Sequence, residues 1–291
     1  MQDELDQLLL DPVHIDTLVN MLKMAYSFEN WDQVISLSDS LIETASRINH
    51  DYTSRPVGIY SGSEPMNRSI VYYFGYSYLM KGLAYQKLKR YDKAKECVVY
   101  YADLSWVDDS NPLNEQIISD FKFFAKANRH ALEILSGNLE YLPDYVEFLL
   151  SHPQEVLPGL ISILEAALTF NVTIDHELDK LIQLVHEFDT YEDRVDDAYY
   201  LSFYYLLTLY SYKNKKYHNA INFTLHILTL SDKINDDKCF KKATALFETF
   251  RNHASPTQLE AYLKIQKSIL KGAIENEEGI DFSSICDWDF K

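Results

Sequence analysis

Apolar side chains recur at helical spacing along nearly the whole chain. Leu18, Met21, Leu22 and Ala25 form one stripe; after a break at Phe28-Glu29-Asn30, Trp31, Val34, Ile35, Leu37, Leu41 and Ile42 form the next. Residues three and four apart share a helix face, so each stripe predicts an amphipathic helix. Followed along the chain, the pattern predicts helix pairs over 14–27 and 31–48 and over 69–88 and 91–105, then a long helix over 115–135. Shorter helices fit 139–150 and 154–170, where Pro143, Pro153 and Pro158 limit continuity, and 176–188. Two more pairs fit 194–213 with 217–231 and 235–252 with 256–274. No segment reads convincingly as a strand.

The punctuation agrees with this division. Asn111-Pro112 is a turn signal, and Ser136-Gly137-Asn138 places a glycine where a helix can close in the left-handed conformation. Asp175 is a candidate N-cap, and Ser255-Pro256 pairs an N-cap with a first-turn proline. Residues 50–68, HDYTSRPVGIYSGSEPMNR, carry two prolines, two glycines and many polar side chains, and are the best loop in the chain.

Composition narrows the class. Only 8 glycines and 8 prolines in 291 residues disfavour glycine-rich phosphate loops and many-turned β architectures. With 47% hydrophobic residues the chain is not of the disordered class. Its net charge of −17 argues against nucleic-acid backbones and anionic membrane surfaces as partners. The densest basic group, Lys87, Lys89, Arg90, Lys93 and Lys95, reads as a solvated helix hairpin. Cys97, Cys239 and Cys286 are scattered, with neither CxxC spacing nor a disulfide framework, so a reduced, cytoplasmic protein is expected. The acidic start MQDELDQLLLDPVH lacks the features of a signal peptide, and no unbroken apolar run is long enough for a membrane span.

Catalytic and metal-binding patterns are missing from the sequence. His176-Glu177 lacks the second histidine of a zinc protease motif, and His152, His186, His218 and His226 are dispersed. Gly58, Gly62 and Ser63 lack the lysine of a phosphate loop, and the acidic run from Glu187 to Asp197 lacks calcium-loop spacing. The expectation is therefore no enzyme, no cofactor and no metal.

Three predicted helix junctions carry one signature: Asn30-Trp31-Asp32-Gln33-Val34, Arg90-Tyr91-Asp92-Lys93-Ala94 and Lys216-Tyr217-His218-Asn219-Ala220. Each starts the second helix with an aromatic residue and places a small or β-branched residue three positions on. This resembles the tetratricopeptide repeat, a helix-turn-helix unit in which the small residue permits close helix approach and the aromatic fills the gap between hairpins. In the fullest copy Tyr78, Gly82, Tyr85, Tyr91 and Ala94 match, while Lys81 and Tyr101 depart from the pattern. In the copy from Leu201, Tyr204, Leu207, Tyr217 and Ala220 match, and Thr208 and Ser211 depart. The copies do not follow one another at a 34-residue period, so the expected fold is all-α: an α-solenoid of degenerate tetratricopeptide-like helix hairpins. A single such domain over 1–275 and an acidic, aromatic segment over 276–291 are expected.

Tyrosine is abundant, at 22 residues, and many stand on predicted first helices. Core packing and a recognition groove are both open readings, since tyrosine combines apolar area with a hydrogen-bonding tip. The family lines its concave face with set first-helix positions. Carried over, these are Tyr76, Leu79, Leu83, Gln86 and Lys87, and Ser202, Tyr205, Leu209, Tyr212 and Lys213.

The run VYYFGYSYLMKGLAYQKLKRYDKAKE, followed by YYADLSW and FAKANRHALEILSGN, resembles the helical sensor regions of Bacillus-like Firmicutes helix-turn-helix transcriptional regulators related to peptide-pheromone receptors. That resemblance implies a short peptide or protein segment in a concave groove, modulation of a transcriptional regulator, and Asn128 as a clamp on the peptide backbone. The first helix pair begins near residue 14, which leaves no room here for a reader domain, so the chain is expected to be either the sensor half of a longer protein or a relative without that domain, and direct DNA binding is not carried over. A homodimer is left open. The alternative is a constitutive protein-interaction scaffold without a small ligand.

Overall fold

The computed structural model describes residues 14–54, 66–107, 114–186, 188 and 194–273. The calls on Gly58, Gly62, Ser63, Asn111-Pro112, most of the acidic run before Asp197, Cys286 and 276–291 lie outside them. The described residues hold twelve α-helices, four 3-10 turns and no strand. In chain order the helices are α1 (Ile15–Ser27), α2 (Trp31–Thr53), α3 (Ile70–Lys87), α4 (Tyr91–Ala102), α5 (Asn114–Leu135), α6 (Leu142–Ser151), α7 (Val156–Phe170), α8 (Asp175–Leu181), α9 (Arg194–Lys213), α10 (Tyr217–Lys233), α11 (Asp237–Phe250) and α12 (Pro256–Ala273).

These helices follow the apolar periodicity, with instructive departures. α2 runs through Thr53, so helix occupies the start of the stretch read as a loop from residue 50. α8 is short: it ends at Leu181 and passes into a 3-10 turn over Ile182–Leu184. Asp175 does not cap it. Ile174 occupies the cap position, and the Asp175 carboxylate is taken by the Tyr210 hydroxyl at 2.9 Å and the Lys216 ammonium at 2.7 Å. At α12 the expected cap is present and reciprocal. Ser255 Oγ accepts from the Gln258 N–H at 3.3 Å while Gln258 Oε1 accepts from the Ser255 N–H at 3.0 Å.

The chain forms two compact units, Met1–Tyr145 and Val146–Lys291. In the first, α2 packs on α1 and α3, and α4 on α3 and α5. Its core includes Leu22, Val34, Leu41, Val71, Tyr73, Tyr101 and Leu104. In the second, α7 packs on α9, α9 on α10, and α10 on α11 and α12. α7 is apolar almost all round and buries Leu160, Ile163 and Leu164, as a helix enclosed by its neighbours should.

The three junctions that share a sequence signature also share a backbone. Glu29, Lys89 and Lys215 take the left-handed conformation, with φ of 56°, 57° and 61°. The following N–H reaches back five residues: Asn30 to Ala25 O at 3.0 Å, Arg90 to Tyr85 O at 2.8 Å, Lys216 to Ser211 O at 2.8 Å. This is a Schellman closure, and it satisfies carbonyls the helix end would leave unpaired. Beyond each turn the same register is buried. Val34, Ala94 and Ala220 are fully buried, and seven residues on so are Leu41, Tyr101 and Ile227. The same closure recurs at Asn235, before α11, and at Gly137, after α5.

A residue with a Cβ pays about 1–2 kcal/mol for the left-handed conformation. Exposed Lys89 is the plain case. Lys89→Gly is expected to stabilise the first unit by about 1 kcal/mol, after glycine's greater entropy loss is counted. The urea midpoint, followed by Trp31 and Trp106 fluorescence, measures it.

Candidate functional site: the tyrosine faces of α3 and α9

α3 reads IVYYFGYSYLMKGLAYQK, and helical spacing distributes its tyrosines over three directions. Tyr73 points into the core. Its hydroxyl donates to Asp16 Oδ1 at 2.6 Å and accepts the Arg68 N–H at 3.2 Å. Tyr72 and Tyr76, one turn apart, stack with centroids 5.4 Å apart, and the Arg68 guanidinium lies 4.2 Å above the Tyr72 ring. Tyr78 faces elsewhere and stacks on Tyr100 of α4 at 4.6 Å. Burial, and then the neighbouring Tyr72 phenol, push the Tyr76 phenol well above its ordinary range, so it is neutral and able to donate.

Four of the predicted groove residues, Tyr76, Leu79, Leu83 and Gln86, therefore follow one another along α3, each half-buried, with Lys87 exposed beside them. The three apolar members lean on the core of the first unit. Asn128 lies on α5, and one N–H of its amide donates to the hydroxyl of Tyr101 at 2.9 Å. Tyr101 is buried to 1% exposure, so this bond satisfies a phenol that would otherwise lack a partner.

α9 belongs to the second unit and repeats the theme. Tyr205, Leu209 and Tyr212 lie along it, half-buried, with Ser202 and Lys213 exposed. The Lys242 ammonium of α11 sits 5.8 Å above the Tyr205 ring. Tyr212 is enclosed by aromatic neighbours: it stacks on Phe250 at 3.8 Å and meets Tyr217 edge-on at 5.2 Å and His253 at 5.9 Å. Tyr212 is thus a packing residue as much as a surface one. Lys213 Nζ donates to Leu168 O at 2.9 Å.

No family model, curated protein or solved structure matches this chain. What the site can do therefore rests on its own geometry.

The remaining sequence candidates resolve into ordinary structure. Lys95 pairs with Glu133 at 2.7 Å, and Lys93 lies 5.5 Å from the Tyr85 ring. His152 bonds the Phe148 carbonyl at 2.7 Å; His226 lies 3.3 Å from the Tyr200 hydroxyl and is held toward its neutral form by burial. Burial pushes the Cys97 and Cys239 thiols up to about 11, away from nucleophilic reactivity. Among the described residues no group of three acidic, histidine or cysteine side chains is placed to hold a metal ion, and no helix is long and apolar enough to cross a membrane.

Arg68 and Gly75 were missed by sequence reasoning. Arg68 stood in a stretch read as loop, and only its position one turn before Tyr72 hinted at a ring contact. Gly75 matched no repeat position and carried no local signal, because the side chain it accommodates, Phe121, lies far along the chain.

Proposed function

We propose that this chain is a tetratricopeptide-like binding module whose first helices hold a short peptide or an extended protein segment, and that it serves as the sensor part of a regulatory system. The observation that carries the reading is the threefold recurrence of one hairpin: left-handed Glu29, Lys89 and Lys215, the same five-residue closure, and the same buried register at Val34, Ala94 and Ala220. In such a hairpin the second helix faces its neighbours and the first leaves a row of side chains open to a ligand. Tyr76, Leu79, Leu83 and Gln86 on α3 supply apolar area, a neutral phenol and an amide. That mixture suits a peptide, with apolar pockets for side chains and polar tips for the backbone. The groups on α3 and on α9 are two faces, one in each unit. Asn128 gives one amide N–H to Tyr101, and its second N–H and its Oδ1 remain for the clamp on a peptide backbone that the resemblance implies.

The mechanism is a population shift, in which the peptide favours one arrangement of a helix array over another. Modulation of a transcriptional regulator rests on the resemblance to Firmicutes sensor regions alone. The scaffold reading keeps one observation of its own. Val99, Tyr100 and Trp106, on α4 and just after it, are half or more exposed, large apolar side chains of the kind protein partners cover.

Thermal unfolding of the whole chain with fractionated peptides from the producing organism tests the proposal. A ligand at about 100 times its dissociation constant adds about 2.7 kcal/mol. The expected result is a saturable rise in melting temperature, lost in Tyr76→Ala or Tyr205→Ala. No rise with any fraction, together with a protein that copurifies without peptide, would replace the sensor reading by the scaffold.

A further inference from the structure

α1 carries apolar side chains on two faces. Leu18, Leu22 and Ala25 turn inward and belong to the core of the first unit. On the outer face Thr17, Met21, Met24 and Phe28 follow one another at steps of four, three and four, the spacing that keeps side chains on one seam of a helix. Met21 is 39% exposed, Met24 58%, and Phe28, at the C-cap, 77%. Thr17 is exposed as well. Asn20 and Ser27 flank the stripe and Lys23 lies beyond them, so no charged side chain stands within it. Three large apolar side chains gathered on one exposed face mark an interaction site. The stripe has neither the phenol nor the amide that the α3 row offers to a peptide backbone, so it suits another apolar helix.

Two observations point to a second copy of this chain as that helix. The stripe is self-complementary. When two copies of α1 lie antiparallel about a two-fold axis passing between Leu22 and Lys23, Met21 of each copy faces Met24 of the other, and the large Phe28 faces the small Thr17. The stripe is also uncharged, in a chain whose net charge is −17. Two such copies repel one another, and they approach at least cost through a face that brings no carboxylates together. The 13 residues of α1 span about 20 Å, which places the pair among the small, reversible interfaces of less than about 1,200 Å².

We propose that two copies of this chain associate through the outer faces of α1, antiparallel, with Met21, Met24 and Phe28 as the buried centre. The association lies on a different helix from the α3 and α9 rows and is independent of any peptide held there.

Sedimentation velocity of the full chain over a range of concentrations tests this. The expected result is a mass that rises with concentration from one chain toward two, and more readily at higher salt, which screens the repulsion between copies. Met24→Glu/Phe28→Glu should keep the protein monomeric with its helical circular dichroism unchanged, since both positions are exposed. Met21→Lys and Met24→Glu should each weaken the pair at least about tenfold. An equal mixture of those two proteins should restore it, because position 21 of one copy meets position 24 of the other. A protein that stays monomeric at every concentration overturns the proposal. So does a dimer that Met24→Glu/Phe28→Glu leaves intact, or one that the mixture fails to restore.

Discussion

Gly75→Ala is expected to destabilise the first unit by about 2–3 kcal/mol, although the same change in most helices is favourable by roughly 0.5–1 kcal/mol. The reason is Phe121. A Cβ on residue 75 would stand 2.7 Å from Phe121 Cζ and closer still to Cδ2 and Cε2, so the α5 ring lies directly on the α3 backbone. The ring cannot swing aside cheaply. It is 4% exposed and shares its surroundings with Tyr72, Tyr101 and Phe124, at centroid distances of 6.3, 6.4 and 6.0 Å. Urea unfolding monitored through Trp31 and Trp106, both in this unit, reads the loss. Phe121→Leu in the Gly75→Ala background should recover part of it, because a smaller side chain vacates the contested space. A gain in stability from Gly75→Ala would show that α3 and α5 separate without cost, and would remove the close approach from the account of this fold.

Tyr210→Phe should cost the second unit about 2 kcal/mol. Tyr210 is 2% exposed, and its hydroxyl does two things. It accepts the N–H of Ile174 at 2.9 Å and donates to Asp175 Oδ1 at 2.9 Å. Phenylalanine leaves the N–H of Ile174, a residue 1% exposed, without an acceptor, and that desolvated donor carries most of the cost. Asp175 keeps Lys216. The control lies in the first unit, where Tyr73 makes the same pair of bonds, to Asp16 and to the N–H of Arg68. Arg68 is exposed, so water can replace the lost acceptor, and Tyr73→Phe should cost less, about 1 kcal/mol. The Asp175 carboxyl is held below its ordinary value by the Lys216 ammonium first and the Tyr210 hydroxyl next. Its folded-state pKa is thus depressed, so the clamp contributes fully above the ordinary carboxylate range, and that contribution is lost as pH falls from that range through the lowered folded value. Denaturation midpoints at neutral pH and at a pH well below the ordinary carboxylate range for wild type and Tyr210→Phe would show the difference narrowing toward acid.

The helices were legible because their apolar spacing is strong and their contacts are mostly with sequence neighbours. Stripes such as Leu18, Leu22 and Ala25, or Val34, Leu41 and Ala45, are the core itself. The left-handed turns were not legible from residue type, since Glu, Lys and Asn replace the usual glycine; they were reachable only through the aromatic and small residues after them. Gly137 was the exception, and it sits as expected. What the sequence did not show depended on partners distant in it. Asp175 reads as a cap until Lys216 and Tyr210 arrive from the α9–α10 hairpin. Asn128 gives one amide N–H to Tyr101, and half-buried Tyr212 stacks on Phe250. The groove positions came from a resemblance, and the half-burial of Tyr76, Leu79, Leu83 and Gln86 is compatible with a ligand face and with packing alike.

In the first unit the most extensive helix contacts join consecutive helices, with α3 and α5 meeting at Gly75 and Phe121, whereas in the second α7 packs extensively against α9 across the whole of α8 and the segment before residue 194. Loops closed between neighbours cost little entropy, and chains rich in them fold fast; a pairing that must first close a longer loop is slower. During synthesis the first unit can therefore condense helix by helix as it emerges, while the second waits until α9 has been made. The interval leaves α7, with Leu160, Ile163 and Leu164 still uncovered, as the stretch of nascent chain most in need of a chaperone.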